Sequence, residues 1–192
     1  MSDKKLWNNL RNGDQKALEE IYRTYFSDLF NYGKRLSKDE NTVEDCIQEL
    51  FVELWNRREK LSETDAIKPY LFVSLKRKIF HTIKKLRKST DTELEEKYFE
   101  AELSIDEILI ANETTAEQRS NLQSAFNELS SRQKEILFLR YYSEMDYEEI
   151  SSIMEMNYQS ARNLVSRAIQ KLAKYMVVFL ILLFGQRISL AS

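Results

Sequence analysis

Over its whole length the chain meets one proline, Pro69, and three glycines, Gly13, Gly33 and Gly185. These are the residues that end or break helices, so a chain this poor in both is expected to be all-α. Its 192 residues suit one or two domains, and 43% hydrophobic with 11% aromatic residues can build real but small cores. No apolar run reaches the roughly twenty residues of a membrane span. The N-terminal MSDKKLWNNL lacks the apolar centre of a signal peptide, so a cytoplasmic protein with no transmembrane segment is expected. The single cysteine, Cys46, falls on the apolar side of a helix near Val43, Ile47 and Leu50 and is expected as a buried thiol. His81 is also single, without the second ligand or paired carboxylates that a metal site or general base would need. No catalytic signature is present, so an enzyme, a metal, a cofactor and a small-molecule substrate are all unexpected.

The stretch DYEEISSIMEMNYQSARNLVSRAIQKLAKY, residues 146–175, has the spacing of two short helices across a tight turn. Asp146 and Glu149 form a capping box, and Ile150, Ile153 and Met154 form the first helix's inward stripe. Glu155, Met156 and Asn157 make the turn, with Asn157 capping the second helix. That helix turns Ala161, Val165, Ala168 and Leu172 inward, with Leu164 and Ile169 beside them. Gln159, Ser160, Arg162, Asn163, Ser166 and Arg167 then point outward, a set of short polar and guanidinium groups suited to base edges and phosphates in a major groove. After Glu155 no acidic side chain remains, so Arg162, Arg167, Lys171 and Lys174 would face phosphates without internal neutralisation. An ordinary helical hairpin with a solvated basic face would show the same pattern.

The net charge of −2 hides a segregation of sign. Between Asp65 and Asp91 the chain carries no acid, whereas from Asp91 to Glu117 ten acidic residues face only Lys97. Such a block reads as a linker, and its Leu94, Phe99, Leu103, Ile105, Ile108 and Leu109 suggest helical turns that settle against something else.

The N-terminal part reads as three helices, near 14–36, 42–57 and 67–86. In the second, Val43, Ile47, Leu50, Phe51 and Leu54 face a core, while Asp45, Gln48, Glu49 and Val52 share the opposite face with Trp55 at its edge. An aromatic anchor inside a polar rim fits a protein interface, or else Trp55 folds over the rim of its own core. The third helix has Leu71, Leu75, Ile79, Ile83 and Leu86 as its inner stripe. Its outer side carries Arg77, Lys84 and Lys88, interleaved with Tyr70, Phe80 and His81, a pattern suited to unpaired DNA. A solvated basic face is the alternative.

The order of VEDCIQELFVELW, KPYLFVSLKRKIFHTIKKLR, an acidic linker and a terminal helix-turn-helix resembles a bacterial extracytoplasmic-function sigma factor from Gly13 to Lys174. Its most specific stretch, LSSRQKEILFLRYYSEMDYEEISSIMEMNYQSARNLVSRAIQKL, is similar to region 4 of the sigma-70 superfamily, and NYQSARNLVSRA resembles the version common in Bacteroidetes. Within it Ser130 and Gln133 form a second capping box, ahead of core residues Ile136, Leu137 and Leu139.

The resemblance implies an all-α chain of two small domains: region 2 over 1–90, an acidic linker over 91–120, region 4 over 121–175 and an apolar tail over 176–192. It implies that Asp45, Gln48, Glu49, Val52 and Trp55 dock on the clamp helices of core RNA polymerase. The loop 59–67 and the helix from Tyr70, with Arg77, Phe80, His81 and Lys84, would hold the opened minus-ten element with one base flipped out. Gln159, Ser160, Arg162, Asn163, Ser166, Arg167 and Lys171 would read the minus-thirty-five element of promoter DNA. An anti-sigma factor is a further implied partner. The chain departs from the family pattern at Arg77, where asparagine is frequent and a phosphate contact replaces a base contact. It departs again at Glu155, a frequent glycine, and at Ala161, a frequent valine. Tyr70 stands at a frequent tryptophan and keeps the aromatic role.

Two other functions fit parts of the chain. One is a helix-turn-helix regulator that binds duplex DNA without polymerase, and the other is an adaptor between proteins. The regulator leaves the basic aromatic helix and the Trp55 face unaccounted for. The apolar run MVVFLILLF, residues 176–184, is about half a membrane span and is expected to be covered, by the N-terminal helices in a closed free protein or by the helix-turn-helix domain.

Overall fold

The computed structural model describes the backbone of residues 2–87 and 124–189 and the side chains of residues 2–86 and 124–173. The chain divides into two compact units, Met1–Glu100 and Ala101–Ser192. All regular structure among the described residues is helical. The acidic linker at 91–120, Lys88, and the covering of the apolar side chains at 176–184 lie outside the described residues.

In the first unit α1 (Asp3–Arg11), α2 (Gln15–Leu36), α3 (Glu40–Asn56) and α4 (Ile67–Arg87) follow in order, with a 3₁₀ turn at Arg58–Lys60. Asp14 and Asp39 start α2 and α3 by accepting from the backbone N–H of Lys16 (2.9 Å) and Asn41 (3.2 Å). Asp39 also accepts from the Thr42 hydroxyl at 2.7 Å, the main reason its carboxyl titrates below the ordinary range. Ile21, Leu29, Tyr32, Val43, Ile47, Leu71, Phe72, Leu75 and Ile79 are buried among α2, α3 and α4. The three helices meet at Gly33, where a Cβ would lie 2.4 Å from Val43 Cγ1 and 3.3 Å from Ile79 Cδ1. Cys46 is buried, and burial pushes its thiol pKa up while the Thr82 hydroxyl 3.6 Å away opposes that.

In this unit three expectations need correcting. Helix α1 was not foreseen, and its Leu6, Trp7 and Leu10 all join the core. Phe80, expected on the outer side of α4, is buried, whereas Leu86, expected on the inner stripe, is 71% exposed. The reason for Leu86 is the position of Ile79, already level with Gly33 near the end of α2. Leu86 lies two turns further on, past the corner where α2 gives way to α3.

In the second unit residues 124–127 are helical, and α5 (Ser131–Leu137), a π-helical turn (Phe138–Tyr142), α6 (Tyr147–Ile153) and α7 (Tyr158–Ser189) follow. Both expected capping boxes are present, Ser130 with Gln133 and Asp146 with Glu149. The core holds Phe126, Ile136, Leu137, Phe138, Leu139, Met145, Ile150, Ile153, Met154, Ala161, Val165 and Ala168. Ile169, expected beside that inward stripe, is 41% exposed, at the edge of the arc centred on Ala161, Val165 and Ala168. The chain then continues as one helix through the end of α7.

Candidate nucleic-acid interface

The reading end of α7 is built by its neighbours. Arg132 of α5 donates to the Met154 carbonyl at 3.3 Å, satisfying an acceptor at the C-terminus of α6. Arg140 donates to the Met145 carbonyl at 2.7 Å and lies over the Tyr147 ring at 4.9 Å, closing the loop that enters α6. The turn between α6 and α7 places Glu155 at φ 50°, a left-handed conformation that a side chain normally disfavours. This is the position where the sequence shows glutamate in place of a frequent glycine, so the turn keeps its shape at a backbone cost of about 1 kcal/mol. Asn157 then accepts from the Ser160 N–H at 2.8 Å and starts α7.

Gln159, Ser160, Arg162, Asn163, Ser166 and Arg167 are all exposed along one side of α7. Gln159 donates to Asn163 at 3.1 Å, so two of the candidate base-reading amides are aligned one turn apart. Lys171 is half-buried and donates to the Glu128 backbone carbonyl, which draws it back toward its own domain. Tyr158 was not foreseen here. It packs edge-on against Tyr147 (5.6 Å) and lies 5.9 Å from the Arg162 guanidinium, so it limits how that arginine can swing.

In the first unit a cleft of about 280 Å³ opens between α3 and α4, lined by Leu50, Glu53, Leu54, Arg57, Leu61, Tyr70, Ser74, Arg77, Lys78 and His81. Tyr70, Arg77 and His81 lie along one side of α4, two turns and then one turn apart, an exposed ring followed by two exposed basic groups. Lys84 is exposed one further turn along. Phe80 is excluded from this surface by its burial and supports the helix from beneath. Arg57 was missed because it lies just past the end of α3, outside the α4 pattern. Lys78 is 14% exposed and joins Glu53 at 2.7 Å and Glu49 at 3.2 Å. Burial disfavours its ammonium, but the two carboxylates outweigh that and raise its pKa.

On the other side of α3, Asp45, Gln48, Glu49 and Val52 line a shallow depression together with Glu53. Val52 is 59% exposed, while Trp55 is half-buried at the edge. The Arg58 guanidinium lies 4.5 Å from the Trp55 ring and donates to the Trp55 carbonyl at 2.9 Å, so the indole is held in place rather than loose.

The family model for Sigma-70 region 2 matches residues 21–89, and that for Sigma-70, region 4 matches residues 119–172. The chain belongs to the extracytoplasmic-function sigma-70 family. It is similar to the ECF RNA polymerase sigma factor SigM of Bacillus subtilis (strain 168), 25% identical over 165 residues, covering 81% of this chain and 93% of that protein. A second relative from the same organism, RNA polymerase sigma factor YlaC, is 22% identical over 160 residues, covering 83% of this chain and 92% of its own. The fold of this chain is similar to that of CnrH, solved with the cytosolic domain of CnrY, at a TM-score of 0.62 and 15% identity over 93% of this chain and 99% of that one. It also matches RpoE from Bartonella quintana, solved with the anti-sigma factor NepR, at 0.56 and 21% over 85% and 98% respectively. As a sigma factor this protein works with core RNA polymerase and promoter DNA in transcription initiation, in a family that is not one of classical enzymes. Among the described residues no helix is long and apolar enough to cross a membrane, and no cluster of metal-binding side chains occurs.

Proposed function

We propose that this sigma factor divides its work between its two units, with residues 1–90 binding core polymerase and the opened minus-ten element and residues 121–175 reading the minus-thirty-five element. The observation that carries the first half is the cleft between α3 and α4, where exposed Tyr70 and the basic groups Arg57 and Arg77 surround a concave space. Stacking suits single strands because every base has a π face, and cations neutralise the phosphates alongside. Asp45, Gln48, Glu49, Val52 and Trp55 dock on polymerase from the opposite edge of α3. The second half rests on the exposed row from Gln159 to Arg167 at the start of α7, where short polar and guanidinium groups fit a major groove. Arg167 takes the phosphate role more readily than Lys171, which is engaged with Glu128.

The protein performs no covalent chemistry and acts in the cytoplasm, where an anti-sigma partner holds it in check. The NepR complex of the RpoE relative supports that last assignment. Run-off transcription with purified core polymerase tests the whole reading: transcripts that start only when this chain is added, from a promoter subset, are expected. Tyr70→Ala together with Lys84→Ala is expected to spare the closed complex and reduce permanganate reactivity of unpaired thymines. Stacking worth about 1 to 3 kcal/mol per base is gained only after the strands part. A polymerase-independent regulator would bind its operator equally well without core enzyme.

A further inference from the structure

The loop from Leu61 to Ala66 has no regular structure of its own, yet it is tied at several points to α1, more than fifty residues away in sequence. The Trp7 indole, 1% exposed, donates to the Ser62 carbonyl at 2.8 Å. Arg11 pairs with Glu63 at 3.2 Å. Asp3 accepts from the Ile67 backbone N–H at 3.3 Å, supplying from another helix the acceptor that the first turn of α4 needs. Tyr25 of α2 donates to the same carboxylate at 3.4 Å and holds it in position. Trp7 also meets Tyr70 edge-on at 5.0 Å. Within the loop, Thr64 accepts from the Ala66 N–H at 3.0 Å. Both ends of the loop are therefore fixed by α1, and the same indole that fixes one end supports the aromatic ring at the mouth of the cleft.

We infer that α1 is a positioning element for base selection: Trp7, Arg11 and Asp3 set the shape of residues 61–67 so that the loop and Tyr70 present one preformed pocket to an unpaired base. The inference rests on the proposed role of that loop and cleft in holding the opened minus-ten element. Its physical basis is preorganisation. A base leaves the stack at a cost of a few kcal/mol, and a loop that must also be ordered at that moment returns less of it. None of the three residues touches DNA in this scheme. They act through the loop backbone and the Tyr70 ring.

The test uses the full-length chain bound to core polymerase. Trp7→Phe removes the indole N–H while keeping an aromatic ring against Tyr70. Opening is measured by permanganate reactivity on promoters carrying each of the four bases at every minus-ten position. The expected result is a loss of about three- to tenfold in discrimination at one position, the size of one hydrogen bond, with core polymerase affinity unchanged. A merely structural role would lower core affinity and opening on all promoters alike, and that result would overturn the inference. Should Trp7→Phe not fold, Asp3→Ala carries the same expectation, and unchanged discrimination there overturns it equally. Replacement of residues 62–65 by glycine separates the two readings. If it abolishes discrimination while the Trp7 variant keeps it, the loop reads the base without help from α1 and only this inference fails. If it too leaves discrimination intact, the loop is not the reader, and both fall.

Discussion

Gly33→Ala is expected to destabilise the first unit, and the structure gives both the size and the cause. The new Cβ would meet Val43 Cγ1 at 2.4 Å, so that methyl must retreat by about 1 Å to reach ordinary contact. Valine in a helix is nearly confined to one rotamer, which leaves displacement of α3 as the main relief. Overpacking of this kind costs about 1 to 3 kcal/mol. Against it stands the usual gain of about 0.5 to 1 kcal/mol for replacing a helical glycine by alanine. A net loss of up to about 2.5 kcal/mol, centred a little above 1, follows. Val43→Ala removes the obstructing methyl and leaves the Val43 Cβ at 3.5 Å, an ordinary contact, and Ile79 Cδ1 at 3.3 Å, the end of a flexible side chain. In that background the same Gly33 substitution is expected to become neutral or stabilising. The two tryptophans, Trp7 and Trp55, both lie in the first unit, so urea unfolding of the full chain followed by tryptophan fluorescence reads that unit. A double-mutant cycle should give a coupling of about 2 kcal/mol. Gly33→Ala that stabilises the wild-type background, or costs the same with and without Val43, would refute the steric argument.

Trp55→Ala and Gln48→Ala are expected to weaken core polymerase binding, by roughly 2 kcal/mol for the tryptophan, without unfolding the chain. Pull-down of core enzyme checks this, and full retention by both variants would reduce that face of α3 to plain surface. Arg162→Ala or Asn163→Ala should cost about 1 to 3 kcal/mol and relax preference at one position of the minus-thirty-five element. Arg167→Ala should weaken every sequence alike and lower the salt slope by about one. Holoenzyme binding to a panel of upstream variants at two salt concentrations distinguishes the two patterns.

What the sequence made legible were the interactions that close within one or two helical turns. The Ser130–Gln133 and Asp146–Glu149 boxes, the Asn157 start of α7 and the buried row Ala161, Val165 and Ala168 all depend on spacings of three or four residues. What stayed hidden depends on partners far along the chain. Helix α1 is nine residues long and is held by Ser62, Glu63 and Ile67, none of which a local pattern connects to it. Phe80 was misplaced because it lies at the boundary of the apolar arc of α4, where the shape of the neighbours and not the period decides exposure. Leu86 fits the period perfectly well and is exposed only because the bundle ends before it. The candidate site divides the same way. The outward row of α7 follows from its own helix, whereas the cleft beside α4 needs Arg57 and Leu61 from segments that periodicity does not reach.

The double ion pair of Lys78 lowers the net charge that α3 presents to an approaching partner. Glu49 and Glu53 count as two negative charges in the sequence, but with Lys78 between them the cluster carries only one. Diffusional steering depends on the summed field of the charges out to about a Debye length, about 8 Å at physiological ionic strength, beyond which salt screens it, and not on the number of carboxylates present. The acidic side of α3 therefore attracts from afar less strongly than its composition suggests. Encounter rates governed by this face should vary with ionic strength only gently, and their selectivity should arise after contact, in how long the complex lasts.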